Sequence, residues 1–220
     1  MTDSREITRS SILDTDLYCL TAEKFSLGRN NLDVVRAMLD AGIRLVQYRE
    51  KEKKSGAKYA ECLEIRRMTR DAGAAFIVND DIDLAMMVGA DGVHIGQEDF
   101  PVQAVRRLVG EKMAIGLSTH APAEALAAVE SGADYIGVGP IFRTFTKEDV
   151  VDPVGFDYLE YVAANVDIPF VAIGGIKEHN VAEVVRRGAS CVALVTEIVG
   201  VDDIGGKIAA LRREMQSAKE

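Results

Sequence analysis

The sequence predicts a single (β/α)8 barrel, a TIM barrel of the α/β class, and three observations carry that expectation. Short runs rich in Val, Ile, Leu and Tyr alternate with longer segments whose apolar residues recur at helical spacing. Eight such units of about 25 residues fill the chain, near the size at which a ring of parallel strands closes. A glycine-centred phrase recurs at Gly42, Gly73, Gly89, Gly132 and Gly188, as though one βα unit were repeated. Alternation of this kind requires parallel strands joined by right-handed crossovers. The structural alternative, an open doubly wound sheet, would carry a GxGxxG after its first strand, and the sequence has none.

The strands are expected at 17–21, 44–50, 75–80, 92–96, 113–119, 135–140, 169–175 and 191–196. Helical spacing marks 32–41, 57–72, 102–109, 123–131, 180–187 and 203–215, and a further helix is expected to start near Gly155. Several helices run into a glycine suited to the left-handed residue that ends a helix. Residues 17–220 form one catalytic barrel domain in this reading, preceded by a polar, flexible extension over 1–16.

Composition limits the function classes. The chain of 220 residues is 48% apolar and 28% charged, which suits a globular enzyme-sized domain and excludes a disordered or collagen-like one. No apolar run reaches the ~18 residues of a membrane span, and the polar start lacks a signal core, so a cytoplasmic location is expected. The net charge of −9 argues against general attraction to nucleic acid or to anionic lipid. Any anionic ligand must then be held by local cations, backbone amides or a metal. Cys19, Cys62 and Cys191 show no metal-binding or disulfide spacing and read as reduced thiols.

In such a barrel, chemistry sits where the strands run into their C-terminal loops. Along the second strand, alternation places Leu45, Gln47, Arg49 and Lys51 on one face and Val46, Tyr48 and Glu50 on the other. Val46 and Tyr48 suit the helix side, which directs Gln47, Arg49 and Lys51 into the barrel and toward its mouth. An amide and two cations converging there require an anion, either a ligand or barrel carboxylates in an internal ion-pair cluster. Asp80, ending the third strand, and Asp99, in the loop after the fourth, lie on neighbouring loops. Two such carboxylates suit Mg²⁺, which is usually completed by substrate phosphates; Asp81 and Asp83 suit capping of the next helix.

The sixth strand opens a long polar stretch in which Thr144, Thr146 and Lys147 offer two hydroxyls and a cation. It reads as a lid or as a solvated surface loop. Backbone amides at Gly174-Gly175 and Val195-Thr196 suit the phosphate site of many barrels, although a Gly-Gly turn also arises for backbone reasons alone. The histidines, His94 in mid-strand, His120 and His179, read as structural, and no Ser-His-Asp order or zinc spacing is present.

Taken in order, the phrases Gln47-Tyr48-Arg49-Glu50-Lys51, Asn79-Asp80, Gly96-Gln97-Glu98-Asp99, Gly139 to Lys147 and Gly174-Gly175-Ile176 resemble the thiamine phosphate synthase (thiamine-phosphate pyrophosphorylase) family, over roughly residues 17–199. The resemblance implies a transferase of thiamine biosynthesis. Such an enzyme joins hydroxymethylpyrimidine diphosphate to thiazole phosphate, or to its carboxylated form, and releases pyrophosphate. By motif, Gln47, Tyr48, Arg49, Glu50, Lys51, Asn79, Ser118 and Lys147 would bind the pyrimidine diphosphate. Asp80 and Asp99 would hold Mg²⁺, and Thr144, Phe145, Thr146, Gly175, Val195 and Thr196 would receive the thiazole phosphate. Arg49, Lys147 and Ser118 would carry catalysis. Arg143 and Thr196 stand where the family usually has Pro and Ser.

The implied chemistry is a Mg²⁺-assisted dissociative substitution in which the electron-rich pyrimidine tolerates a benzyl-like cation and no protein nucleophile is needed. Rival readings are a thiazole tautomerase-like paralogue, a non-catalytic phosphate-binding regulator and a sugar-phosphate epimerase. The small-molecule substrates are the expected partners, nucleic acid and membrane are not, and a homo-oligomer is compatible with the sequence.

Overall fold

A computed structural model describes residues 8–146 and 151–219. Eight strands form a closed parallel barrel in sequence order: β1 (Leu17–Leu20), β2 (Leu45–Tyr48), β3 (Ala75–Asn79), β4 (Gly92–Ile95), β5 (Ala114–Thr119), β6 (Tyr135–Val138), β7 (Phe170–Ile173) and β8 (Val192–Leu194). Pairing of Leu17 with Val192 closes the ring. Around it lie α1 (Asn31–Asp40), α2 (Ser55–Ala72), α3 (Ile82–Val88), α4 (Val102–Val109), α5 (Pro122–Ser131), α6 (Gly155–Asn165), α7 (Glu178–Arg186), α8 (Thr196–Val199) and α9 (Ile204–Ser217). No helix among the described residues is long and apolar enough to cross a membrane.

Alternation along each strand divides the apolar core into two layers. Residues such as Cys19, Val46, Phe76, Val93, Ile115, Ile136, Ala172 and Val192 face the helices and pack against them. Tyr18, Leu45, Ile77, Ala114, Tyr135, Val171 and Cys191 point inward and fill the barrel. Its interior is therefore a packed core that becomes polar toward the C-terminal ends of the strands.

The repeated Gly-Ala-Asp phrase has a structural cause. Gly89 and Gly132 end α3 and α5 in the left-handed conformation, and the aspartate that follows opens the next strand as a clamp. Asp91 accepts from Phe76 N–H (2.8 Å) and from both terminal nitrogens of Arg66. Asp134 accepts from Ile115 N–H (2.7 Å) and from Arg106 and Arg9. Each clamp ties a strand to the backbone of its neighbour and to a helix two positions back.

Two expectations need correction. Of the flexible extension expected over 1–16, residues 1–7 lie outside the described residues, while 8–16 are anchored to the barrel: Arg9 reaches Asp134, and Ile12, only 3% exposed, joins the inward-facing core cluster. Apolar burial and a part-buried ion pair hold this segment against the barrel. The eighth strand stops at Leu194, and Thr196 opens the one-turn helix α8 instead of ending a strand.

Candidate functional site at the barrel mouth

Most of the residues singled out in the sequence lie at or just beyond the C-terminal ends of the parallel strands, where the chain leaves its ladder and its side chains become free to meet a ligand. Gln47 is buried inside the barrel, and its Nε2 donates to the Tyr18 hydroxyl (2.7 Å). Arg49 is held by its backbone, whose N–H donates to Thr21 Oγ1 (2.9 Å). Its half-buried guanidinium has no side-chain partner among the described residues. Lys51 Nζ donates to Asp80 Oδ2 (2.5 Å), so part of the anticipated internal ion-pair cluster exists. This contact is exposed on the lysine side, and a lone exposed pair contributes little to stability, ~0–1 kcal/mol.

Asp80 takes φ of +61°, a left-handed conformation that aspartate tolerates better than most residues. Its N–H donates to the His94 carbonyl (2.9 Å), which docks the end of β3 onto β4. Beyond β4, Asp99 Oδ2 accepts from Gly96 N–H (2.6 Å). Each carboxylate therefore spends one oxygen on the protein, and Oδ1 of each is without a protein hydrogen bond among the described residues. Two hard oxygen donors on adjacent loops fit a Mg²⁺ ion that keeps its remaining positions for water and phosphate.

The loops after β6 and β7 are pressed together. Phe142 N–H donates to the Gly174 carbonyl (2.9 Å). A side chain at Gly175 would come within 2.6 Å of the Arg143 carbonyl oxygen, and its φ is +65°. The turn after β7 thus has to be glycine, and Phe142 and Arg143, which lead into Thr144, lie directly against it. Thr146 N–H donates to Thr144 Oγ1 (3.4 Å), while Phe145 is exposed, with the Arg143 guanidinium 5.9 Å from its ring centre. Val195 and Thr196 lie at the entrance to α8. Lys147 lies outside the described residues.

Two side chains expected to contact ligand do not face the mouth. Tyr48 points to the helix layer, where its hydroxyl donates to Glu61 Oε2 on α2 (2.7 Å). Glu50 Oε1 accepts from Glu23 N–H (2.8 Å) and braces the loop after β1. Strand alternation explains Tyr48, and a carboxylate engaged with the backbone is a poor neighbour for a diphosphate. Glu61 also takes hydrogen bonds from Lys53 and Asn31. Burial works to raise its pKa, but these donors outweigh it and hold the carboxyl below its usual range.

A lowered folded-state pKa means that the Glu61 contribution is present at neutral pH and disappears as pH falls below about 4.3 and through the folded value. Glu61→Gln is expected to lose ~1–3 kcal/mol at pH 7. The gap to the parent should narrow in urea titrations repeated down to pH 3, and a gap independent of pH would refute the ionic role.

His94, expected to be structural in mid-strand, lies in β4. It faces the barrel interior, with Nδ1 3.1 Å from the Tyr135 hydroxyl and Nε2 3.0 Å from Ser118 Oγ. The signal was available: alternation that sends Val93 and Ile95 to the helices sends His94 inward. His120, by contrast, is tied to Glu124 through its N–H (2.8 Å) and Nδ1 (3.1 Å), as a helix-start residue. The cysteines are all buried, and burial pushes Cys19 and Cys62 up to about 12, which removes thiolate chemistry at neutral pH.

Residues 17–198 match the family model described as Thiamine monophosphate synthase. The chain is 63% identical over 203 residues to the thiamine-phosphate synthase of Pelotomaculum thermopropionicum, covering 92% of this chain and 93% of that protein. It is 56% identical over 196 residues to the thiamine-phosphate synthase of Caldicellulosiruptor saccharolyticus, covering 89% of each. Among solved structures, thiamine phosphate pyrophosphorylase from Pyrococcus furiosus superposes with a TM-score of 0.85 at 31% identity, covering 96% of this chain and 99% of that one. The matched span takes in every barrel strand together with the polar residues at their ends, and the chain belongs to the thiamine monophosphate synthase family.

Proposed function

We propose that the chain couples hydroxymethylpyrimidine diphosphate to thiazole phosphate, or to its carboxylated form, to give thiamine phosphate and pyrophosphate. The observation that carries this reading is the half-buried Arg49 guanidinium, which has no side-chain partner among the described residues, at the same strand ends as Lys51 and the carboxylates of Asp80 and Asp99, each of which keeps one oxygen without a hydrogen bond among those residues. The rivals use this set poorly. A regulator that only binds phosphate gains nothing from Asp80 and Asp99, and an epimerase needs a base that Gln47 and Arg49 do not supply.

In this mechanism the bond between the pyrimidine methylene carbon and the diphosphate oxygen breaks, and the electron pair leaves with pyrophosphate. The thiazole nitrogen then supplies the pair that forms the new C–N bond. Arg49, Lys51 and Lys147 hold the departing charge, with Gln47, Asn79 and Ser118 orienting the pyrimidine half. Thr144, Phe145, Thr146, Gly175, Val195 and Thr196 place the thiazole phosphate against it. Asp80 and Asp99 would hold Mg²⁺, which when bound adds fixed positive charge where negative charge accumulates on the diphosphate. Binding both reactants in one mouth supplies proximity and shields the cation from water.

A cytoplasmic location belongs to the same reading. So does a homo-oligomer, for which the exposed Met86 and Met87 on α3 and Leu63 on α2 offer apolar surface.

Purified protein given both substrates and Mg²⁺ should produce thiamine phosphate and pyrophosphate in equal amounts; no product would overturn the assignment. Asp80→Ala should need far more Mg²⁺ and lose ~10–100-fold in turnover at fixed Mg²⁺, if metal ligation behaves as in other sites. Full activity at low Mg²⁺ would remove Asp80 from the metal site.

A further inference from the structure

Five polar side chains from five strands form one continuous hydrogen-bonded chain across the barrel. Gln47 Nε2 donates to Tyr18 (2.7 Å), Tyr18 meets Tyr135 (3.1 Å), Tyr135 meets His94 Nδ1 (3.1 Å), and His94 Nε2 meets Ser118 Oγ (3.0 Å). The rings are fixed by packing. Tyr18 and Tyr135 are 1% and 0% exposed and sit edge to face, and His94 lies against Tyr135 with ring centres 5.5 Å apart. Burial raises the pKa of both phenols well above the usual value, so each keeps one proton at neutral pH.

One proton per phenol gives the chain a direction. An amide nitrogen can only donate, so Tyr18 accepts from Gln47, and the one acceptor within hydrogen-bond reach of its own buried proton among the described residues is the Tyr135 oxygen. Tyr135 then has its proton left for His94 Nδ1. A neutral imidazole that accepts at Nδ1 carries its proton on Nε2 and donates it to Ser118. Ser118 Oγ, having accepted, keeps its hydroxyl proton for a ligand. The opposite polarity requires Gln47 to turn its carbonyl oxygen to Tyr18, and the orientation of one amide therefore sets the whole line.

We propose that Tyr18 and Tyr135 are positioning residues that carry hydrogen-bond polarity from Gln47 to Ser118, holding His94 as its Nε2–H tautomer and freeing the Ser118 proton for the ligand. A substrate group that donates to the Gln47 carbonyl oxygen locks the amide, and the polarity arrives at the far side as a donor aimed into the mouth. This deepens the proposed function, since it rests on Gln47 and Ser118 contacting the pyrimidine diphosphate. The tautomer itself does not depend on which substrate binds.

The test is the tautomer, read without substrate by long-range ¹H–¹⁵N correlation on ¹⁵N-histidine protein at pH 8, well above the ordinary imidazole pKa of about 6.5. The chain has 3 histidines, so His120 and His179 serve as internal controls. The parent should show His94 protonated at Nε2 alone. Tyr135→Phe should mix the tautomers and lower kcat by ~10–100-fold with the KM for thiazole phosphate unchanged. Gln47→Glu, whose carboxylate can only accept, should reverse the chain and move the proton to Nδ1.

A parent protonated at Nδ1, or a Tyr135→Phe spectrum identical to the parent's, overturns the relay even if thiamine phosphate is made. A correct tautomer with no product overturns the assigned reaction and leaves the relay standing. If Tyr135→Phe does not fold, the parent spectrum and Gln47→Glu still decide.

Discussion

Replacing Arg49 with alanine should lower kcat by ~10²–10³, the loss typical of removing one preorganised donor from a developing anion. The cost should fall on turnover because of how the residue is held. Its N–H is pinned to Thr21 Oγ1, so the backbone stays in place without the side chain. Other arginines in the fold are engaged in structure: Arg66 with Asp91, Arg106 with Asp134 and Arg212 with Asp16. Arg49 spends no donor on a protein side chain among the described residues, and its removal should leave the urea midpoint within ~0.5 kcal/mol of the parent. Arg49→Lys, which keeps the charge but loses the planar fork, should fall between the two. Saturating kinetics with pyrophosphate release as the readout decides the matter. A kcat for Arg49→Ala within about threefold of the parent would remove the residue from charge stabilisation.

The same contrast explains what was legible in the sequence. Strand positions were readable because a parallel strand buried on both faces has to be an uninterrupted apolar run, as at Phe76, Ile77 and Val78. The runs extend past the strands themselves, because Arg49, Asp80 and Thr196 follow the strand in sequence yet leave the ladder at the barrel mouth. Among inward-facing residues, a polar side chain that stands beside charge is legible in the sequence, and one that lies within an apolar run is not. Gln47 drew notice beside Arg49, while Tyr18, Tyr135 and His94 lay within apolar runs and disclosed their role only through partners on other strands. The anchoring of residues 8–16 was invisible for the same reason, since Asp134 is 125 residues from Arg9 in the chain.

Gly116→Ala should be the most damaging single-methyl change in the barrel, with at least about 3 kcal/mol of stability lost, the upper end of what overpacking usually costs. A Cβ built at Gly116 would lie 2.1 Å from Tyr135 Cζ and 2.5 Å from His94 Nδ1. Neither ring can withdraw, because Tyr135 is packed against Tyr18 and both are hydrogen bonded through their polar atoms. The missing side chain on β5 is therefore the space into which the phenol and the imidazole fit, and filling it forces apart the contact that orders His94. Gly137→Ala is the matched control on β6: its Cβ would meet nothing closer than His94 Cε1 at 3.4 Å, an ordinary contact, and stability should change little. Urea midpoints for the two variants measure the difference directly. If Gly116→Ala stays within about 1 kcal/mol of the parent, the interior yields more readily than close packing allows. The rings could then not hold a fixed hydrogen-bond direction either.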